Sequence, residues 1–202
     1  TVARIAAPKA WSKGSCTEIG GLTLDAKGRV WICDRVLGLL LFHPATNSLE
    51  RIYPSAAMPG PHERPNVHAA AVDADGSLWV IDLDHLLHIE PERSQIQAFR
   101  YVDVEPALAP KPVLTRLQAV PGDPNLLVIG SWGSGLITFD KRTRTFSTVK
   151  RDTGKSWNVS NIVIAITAID EDVMVVGFDW ATYWYDPRTR RLSEPFVPTG
   201  PF

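Results

Sequence analysis

The chain has 202 residues, of which 45% are hydrophobic and 21% charged, and its formal net charge is −1. This composition is typical of a soluble globular protein that is long enough to bury a sizeable core. The nearly neutral charge argues against binding to nucleic acid or to an anionic membrane through bulk electrostatics, and no apolar run approaches the roughly 20 residues that a transmembrane helix needs.

The sequence predicts four groups of four short strands, and no helix, because its apolar runs are short, are bounded by turn residues and lack a 3.6-residue rhythm. We name the strands of each group A to D in chain order. The predicted strands are 19–24, 30–33, 39–42 and 49–53 in the first group; 68–72, 78–81, 86–89 and 96–101 in the second; 115–120, 126–130, 136–139 and 146–150 in the third; and 162–169, 173–177, 183–185 and 192–197 in the fourth.

These groups are copies of one repeat. Residues 73–80 (DADGSLWV) restate residues 25–32 (DAKGRVWI) after a shift of 48, and weaker copies follow at 127–143 and 174–189. A period of about four dozen residues with three or four strands per unit is typical of β-propeller blades. The sequence therefore predicts an all-β fold, a β-propeller with four blade repeats at about 18–53, 67–101, 114–150 and 161–197.

One predicted strand, 2–6, precedes the first blade, and the fourth blade has its own strand D. Residues 1–7 are therefore expected to form a strand of a preceding blade. On this interpretation the chain is a single propeller segment, 1–202, that belongs to a larger propeller. Blades with open edges expose unpaired backbone and apolar faces, so we also expect self-association.

The repeat resembles the two-component regulator propeller repeat. The shared pattern is D-x-x-G-x-[LV]-W-[IV] followed by G-L-x-x-[FY]-D-P-x-T, and it is best matched at 73–80, 130–140 and 185–189, although the third and fourth copies carry Val128 and Val175 in place of the tryptophan. Propellers of this family form the periplasmic sensor region of hybrid histidine kinases and of some diguanylate cyclases. The resemblance implies a non-catalytic, periplasmic ligand-sensing module that works with the remaining blades and domains of a parent receptor.

In a propeller, the B–C loops and the D–A connections lie on one face, where recognition normally occurs. The opposite face holds the Asp-x-x-Gly and Asp-Pro-x-Thr sequences, which we expect to be structural turns. The candidate ligand-binding residues on the first face are Trp132, Trp180, Asp82, Asp179, Asp84, Arg35 and Trp157. Indole faces flanked by carboxylates and an arginine suit an oligosaccharide or another small polyhydroxylated ligand, whereas the alternative is that the tryptophans only cover blade edges.

No cofactor, metal site or catalytic residue is predicted. No His/Cys spacing resembles a zinc site, and we expect surface or packing roles for His62, His68, His85 and His88. The alternative function is a lactonase-like propeller hydrolase or lyase that acts on a lactone or a polysaccharide. Such an enzyme would carry acidic and amide side chains on strand A, whereas these strands are rich in glycine and alanine.

Overall fold

The computed structural model describes residues 18–56, 58–73, 75–90, 95–101, 113–149, 161–179 and 181–196. The predicted strand 2–6 and the candidate site residues Trp157 and Trp180 lie outside these ranges. The described residues form strands and turns without any helix, so they contain no helix that could span a membrane. All four groups of four predicted strands are confirmed, with ends that differ by a few residues at most.

Each group is a four-stranded antiparallel sheet whose strands are ordered as they are in the chain. The first sheet comprises β1 (Ile19–Leu24), β2 (Val30–Asp34), β3 (Gly38–His43) and β4 (Ser48–Tyr53), and the second β5 (Val67–Val72), β6 (Leu78–Asp82), β7 (His85–Glu90) and β8 (Gln95–Arg100). The third comprises β9 (Val113–Val120), β10 (Asp123–Trp132), β11 (Leu136–Asp140) and β12 (Thr145–Thr148), and the fourth β13 (Val163–Ala168), β14 (Met174–Phe178), β15 (Thr182–Asp186) and β16 (Arg191–Phe196).

The chain divides into two compact units, Thr1–Phe99 and Arg100–Phe202, each containing two of the sheets. In the first unit, Trp31 and Leu41 of one sheet pack with Val80 and Leu87 of the other in a single buried cluster. The second unit has its own cluster, which includes Val128, Val176 and Tyr185. Strand β6 is buried along its whole length, as predicted for a strand B that is apolar on both faces.

Small residues on strand A allow neighbouring sheets to approach closely. A Cβ atom at Gly20 would lie 2.6 Å from the main-chain oxygen of His68, which is closer than real Cβ contacts allow. Strands β1 and β5 therefore meet backbone to backbone at this point, and only glycine fits there.

The Asp-x-x-Gly-x-x-Trp motif has a side-chain explanation. In the first blade, the indole nitrogen of Trp31 donates a hydrogen bond to the Asp25 carboxylate at 3.1 Å, and in the second blade Trp79 donates to Asp73 at 3.0 Å. Gly28, with a φ of 73°, closes the first turn by donating its N–H to the Asp25 carbonyl oxygen at 3.0 Å. The motif therefore joins a tight turn to a buried aromatic side chain six residues later.

The electrostatics of Asp25 reflect this arrangement. Burial raises the pKa of the Asp25 carboxyl group. Hydrogen bonds from the Arg29 main chain and side chain and from Trp31, together with the Arg29 charge, lower the pKa by more than burial raises it. The pKa of Asp25 therefore lies below its usual value. The carboxylate therefore stabilises the turn above the unfolded-state pKa, and this contribution is lost as the pH falls through the lower folded-state pKa.

The C–D turns are also held by aspartate. Asp140 Oδ1 accepts the N–H groups of Arg142 and Thr143, both at 2.9 Å, and the next residue, Arg144, takes a φ of 59°. Asp186 accepts from Arg188 and Thr189 in the same way, at 2.8 and 3.2 Å. These aspartates serve the turns, as the sequence predicts.

We expect the Cys33 thiol to be unreactive in the folded protein. It lies on β2 opposite Gly21, is a free thiol with no exposed surface, and burial raises its pKa to about 12. In a Cys16→Ser variant, which leaves Cys33 as the one thiol of the chain, we expect no stoichiometric reaction with a chromogenic disulfide reagent at pH 8, because only the exposed thiolate reacts. Complete reaction should follow in denaturing urea. Full labelling of the folded protein within minutes would contradict the placement of Cys33 in the core.

Candidate functional site

The B–C turns lie beside the start of strand A, because antiparallel strands reverse direction and bring the end of B next to the start of A. In three blades a main-chain hydrogen bond joins the two places. In each bond an N–H group of the B–C turn donates to a carbonyl oxygen before or at the start of strand A. The pairs are Arg35 and Glu18 (3.0 Å), Leu83 and Asn66 (3.1 Å), and Asp179 and Ile162 (3.2 Å). Of the residues predicted to bind ligand, Arg35, Asp84 and Asp179 therefore lie on turns that are fixed to the sheet.

Asp82 is inside the first unit. Its side chain has no exposed surface, and its carboxylate accepts hydrogen bonds from the Tyr53 hydroxyl at 2.5 Å and from the Asn66 N–H at 2.7 Å. Burial, the hydrogen bond to Asp82 and its negative charge raise the pKa of Tyr53 above the usual range. Asp82 thus holds the connection before β5 against the turn after β6, and a ligand could reach its carboxylate only by displacing these donors.

Arg35 is on the surface of the same unit. Its guanidinium group lies 3.2 Å from the Glu18 carboxylate, and the two side chains are 41% and 60% exposed. Exposed pairs of this kind contribute about 0–1 kcal/mol. Arg35 can therefore turn towards an incoming polar ligand at little cost in stability.

Asp84 is partly exposed and lies between two histidines. Its Oδ1 atom is 3.1 Å from His62 Nε2 and 2.8 Å from His85 Nδ1. The two imidazole rings meet edge to face, with their centroids 4.9 Å apart. Sequence reasoning missed His62 as a functional residue. The available signal was that His62 lies on a D–A connection and Asp84 on a B–C turn, two segments that share an end of the sheet.

In the second unit, Trp132 and Asp179 each bond to Ile162 through the backbone. Trp132, 60% exposed, forms a β-bridge with Ile162, whose carbonyl oxygen accepts the Asp179 N–H at 3.2 Å. Asp179 is also exposed. The exposed side chains of Trp132 and Asp179 are therefore both carried by backbone that bonds to Ile162.

The turn after Trp132 is held by hydrogen bonds. The N–H groups of Gly133 and Gly135 both donate to the carbonyl oxygen of Asn161, at 3.0 and 2.9 Å. The buried Ser131 hydroxyl donates to the Gly135 carbonyl oxygen at 2.9 Å. Several hydrogen bonds therefore hold the backbone on both sides of Trp132, whose side chain is exposed.

Comparisons with known proteins identify the architecture. No protein-family model matches the chain, and no curated protein matches it. Among solved structures, the chain is similar to the extracellular domain of a protein described as the hybrid two component system BT3049 of B. thetaiotaomicron, with a TM-score of 0.66, 15% identity and coverage of 93% of this chain and 25% of that one. The fold is a β-propeller.

Two further solved propeller structures are similar to the chain. The extracellular domain of the one component system BT4673 of B. thetaiotaomicron has a TM-score of 0.59 and 17% identity over 91% of this chain and 22% of that one. The RRP9 WD40 repeats have a TM-score of 0.66 and 15% identity over 91% and 52%. At these identities the likeness concerns the fold, and the chain spans about a quarter or less of the two extracellular domains.

Proposed function

We propose that the chain is a non-catalytic, ligand-sensing β-propeller segment, residues 1–202, of a bacterial two-component signalling receptor. Its ligand would be a carbohydrate or another small extracytoplasmic molecule. The repeat pattern and the structural likeness to extracellular domains of B. thetaiotaomicron signalling systems both support a sensor role. On this proposal the domain is periplasmic, and the other blades and domains of the receptor are its partners.

A binding role is favoured over hydrolysis by the composition of strand A. The strand A segments β1, β5, β9 and β13 contain no aspartate or glutamate. A metal-dependent lactonase of the propeller type would need such side chains near the axis. This supports recognition by the loops and turns at the strand ends.

The observation that carries ligand binding is the exposed side chain of Trp132, on a segment whose backbone pairs with the same residue, Ile162, as the exposed Asp179. An indole face stacks on the apolar face of a sugar ring, and a nearby carboxylate accepts hydrogen bonds from its hydroxyl groups. A chain with a net charge of only −1 thereby gains affinity for a neutral ligand that net charge could not attract. In the first unit, Arg35 and Asp84 offer the same kind of polar contact.

Replacing Trp132 by alanine is expected to weaken oligosaccharide binding about 2- to 12-fold, because loss of an aromatic stacking contact costs roughly 0.5–1.5 kcal/mol. Binding would be measured by tryptophan fluorescence and calorimetry with a panel of neutral oligosaccharides. The matched control is Trp184→Ala, since Trp184 is 44% exposed in the same unit but lies within β15, away from the B–C turn.

Equal affinity of the Trp132→Ala variant and the unaltered protein would remove Trp132 from the site. Recovery of cleaved sugar after incubation would contradict the non-catalytic part of the proposal. Loss of binding in the Trp184→Ala variant alone would move the site to another surface.

Self-association or contact with other blades is supported by exposed apolar side chains on strand A of the first blade. Ile19, Leu22 and Leu24 of β1 are 60%, 64% and 67% exposed. Apolar side chains grouped on one strand favour burial against another protein surface. We propose that further blades of the receptor, or a second copy of the chain, cover them.

A further inference from the structure

Two histidines and an aspartate of the first unit form a compact cluster of metal-ligating side chains. His62 lies on the connection between β4 and β5, and Asp84 and His85 lie at the turn from β6 into β7. One ligand atom from each of the three side chains lies within 4.8 Å of the others. The side chains are 23%, 20% and 15% exposed, respectively, so the cluster is shielded but reachable.

One atom of this cluster is not satisfied within the protein. His62 Nε2 is buried and makes no hydrogen bond to the described residues, although it is only 3.1 Å from Asp84 Oδ1. The distance permits a hydrogen bond, but the direction does not. Buried polar atoms are nearly always paired, and a cation bound by the imidazole nitrogen and the Asp84 carboxylate would give His62 Nε2 a partner.

The backbone holds the cluster in place without help from a ligand. The Asp82 carboxylate binds the Asn66 N–H at 2.7 Å, and the Leu83 N–H donates to the Asn66 carbonyl oxygen at 3.1 Å. These bonds fasten the segment after His62 to the turn that carries Asp84. The ligands are therefore brought together by the fold, which reduces the cost of ordering them on binding.

The donor set selects the class of ion. Two imidazole nitrogens with one carboxylate oxygen suit zinc and its neighbours, whereas calcium and magnesium prefer oxygen ligands alone. Bonds of about 2.0–2.1 Å in a tetrahedral site place neighbouring ligand atoms about 3.3 Å apart. The distances of 2.8 and 3.1 Å around Asp84 need to open by a few tenths of an ångström, and the two imidazole nitrogens, which lie within 4.8 Å of each other, need to settle at about the same spacing.

We propose that His62, Asp84 and His85 bind one divalent transition metal ion of the zinc class. Three protein ligands leave a fourth position for water or for an external donor. The alternative is a His–Asp–His cluster that only stabilises the turn and binds no metal. The proposal is independent of the sensor function, because it depends only on these three side chains.

The test uses Co²⁺ and Zn²⁺ as probes on the full chain after treatment with a chelator. We expect one equivalent of Co²⁺ to produce visible absorption bands of a low-symmetry nitrogen and oxygen site, and Zn²⁺ to displace it. His62→Ala and His85→Ala should each weaken Zn²⁺ binding more than about 100-fold, since even the outer-sphere partners of a metal ligand contribute 10–100-fold.

The matched control is His43→Ala. His43 also pairs with a carboxylate, with its Nε2 atom 2.9 Å from Glu50 Oε1, but this pair is not part of the cluster. It should leave Zn²⁺ binding unchanged. His62→Gln and Asp84→Asn keep the size of the side chains and test the ligands if an alanine variant melts early by circular dichroism.

The proposal is overturned if the unaltered protein takes up no stoichiometric Co²⁺. It is equally overturned if folded variants at positions 62, 84 and 85 bind Zn²⁺ as tightly as the unaltered protein does, or if His43→Ala abolishes binding. A rise in melting temperature with Zn²⁺ that is lost in His62→Gln would support it, because an ion that binds only the folded state stabilises that state.

Discussion

Replacing Trp31 by alanine is expected to lower the free energy of unfolding by about 3–5 kcal/mol, the usual cost of truncating a large buried aromatic side chain. Trp31 is 1% exposed and belongs to the buried cluster of the first unit. Its loss would also leave the Asp25 carboxylate without the indole donor at 3.1 Å. Urea unfolding followed by circular dichroism measures the effect.

The control for Trp31→Ala is Trp184→Ala, which deletes the same atoms from a side chain that is 44% exposed. We expect that change to cost well under half as much, since little packing is lost at a solvent-exposed position. Equal losses from the two changes would show that Trp31 is not a core residue. A Trp31→Phe variant, which keeps an aromatic ring but not the indole N–H, should fall between Trp31→Ala and the unaltered protein.

Removing a single oxygen atom from Tyr53 is expected to destabilise the protein by about 2–3 kcal/mol, the cost of losing a buried hydrogen bond to a charged group. Tyr53 is fully buried, and its hydroxyl donates a hydrogen bond to the Asp82 carboxylate at 2.5 Å. In the Tyr53→Phe variant the buried carboxylate keeps the Asn66 N–H but loses its other donor. Chemical unfolding at pH 7 would measure the difference.

Tyr185→Phe is the matched control for this change. The Tyr185 hydroxyl is also buried, but it has no hydrogen-bond partner among the described residues. Its removal should be close to neutral or slightly stabilising, because an unsatisfied polar group is taken out of the core. If Tyr185→Phe were as harmful as Tyr53→Phe, the Tyr53–Asp82 bond would not be the cause.

The pH dependence gives Tyr53→Phe a second signature. The folded-state pKa of Tyr53 is raised above its ordinary value of 10.0, so the phenol stabilises the folded protein fully below about pH 10 and loses this contribution as the pH rises further. The stability difference between the unaltered protein and the Tyr53→Phe variant should therefore shrink above pH 10. A constant difference from pH 7 to 11 would contradict the assigned role of the hydroxyl.

The strands and turns could be predicted from the sequence because their causes are local. Gly28 and Gly76 provide the positive φ of two tight turns, and the short apolar runs between such turns are long enough for strands and too short for helices. The 48-residue repeat then fixed the number of blades. The hydrogen bond between Asp25 and Trp31 shows that even the motif's side chains interact across only six residues.

The positions of the candidate site residues depend partly on local sequence and partly on long-range packing. The repeat alone places Trp132 and Asp179 at the same end of their sheets, since the direction of an antiparallel strand follows from its place in the repeat. The burial of Asp82 against Tyr53, 29 residues away, and the contact of His62 with Asp84 and His85 depend instead on the three-dimensional fold. The physical reason is that the connection from β4 to β5 has no periodic pattern, so its path depends on long-range packing and hydrogen bonds that no local rule contains.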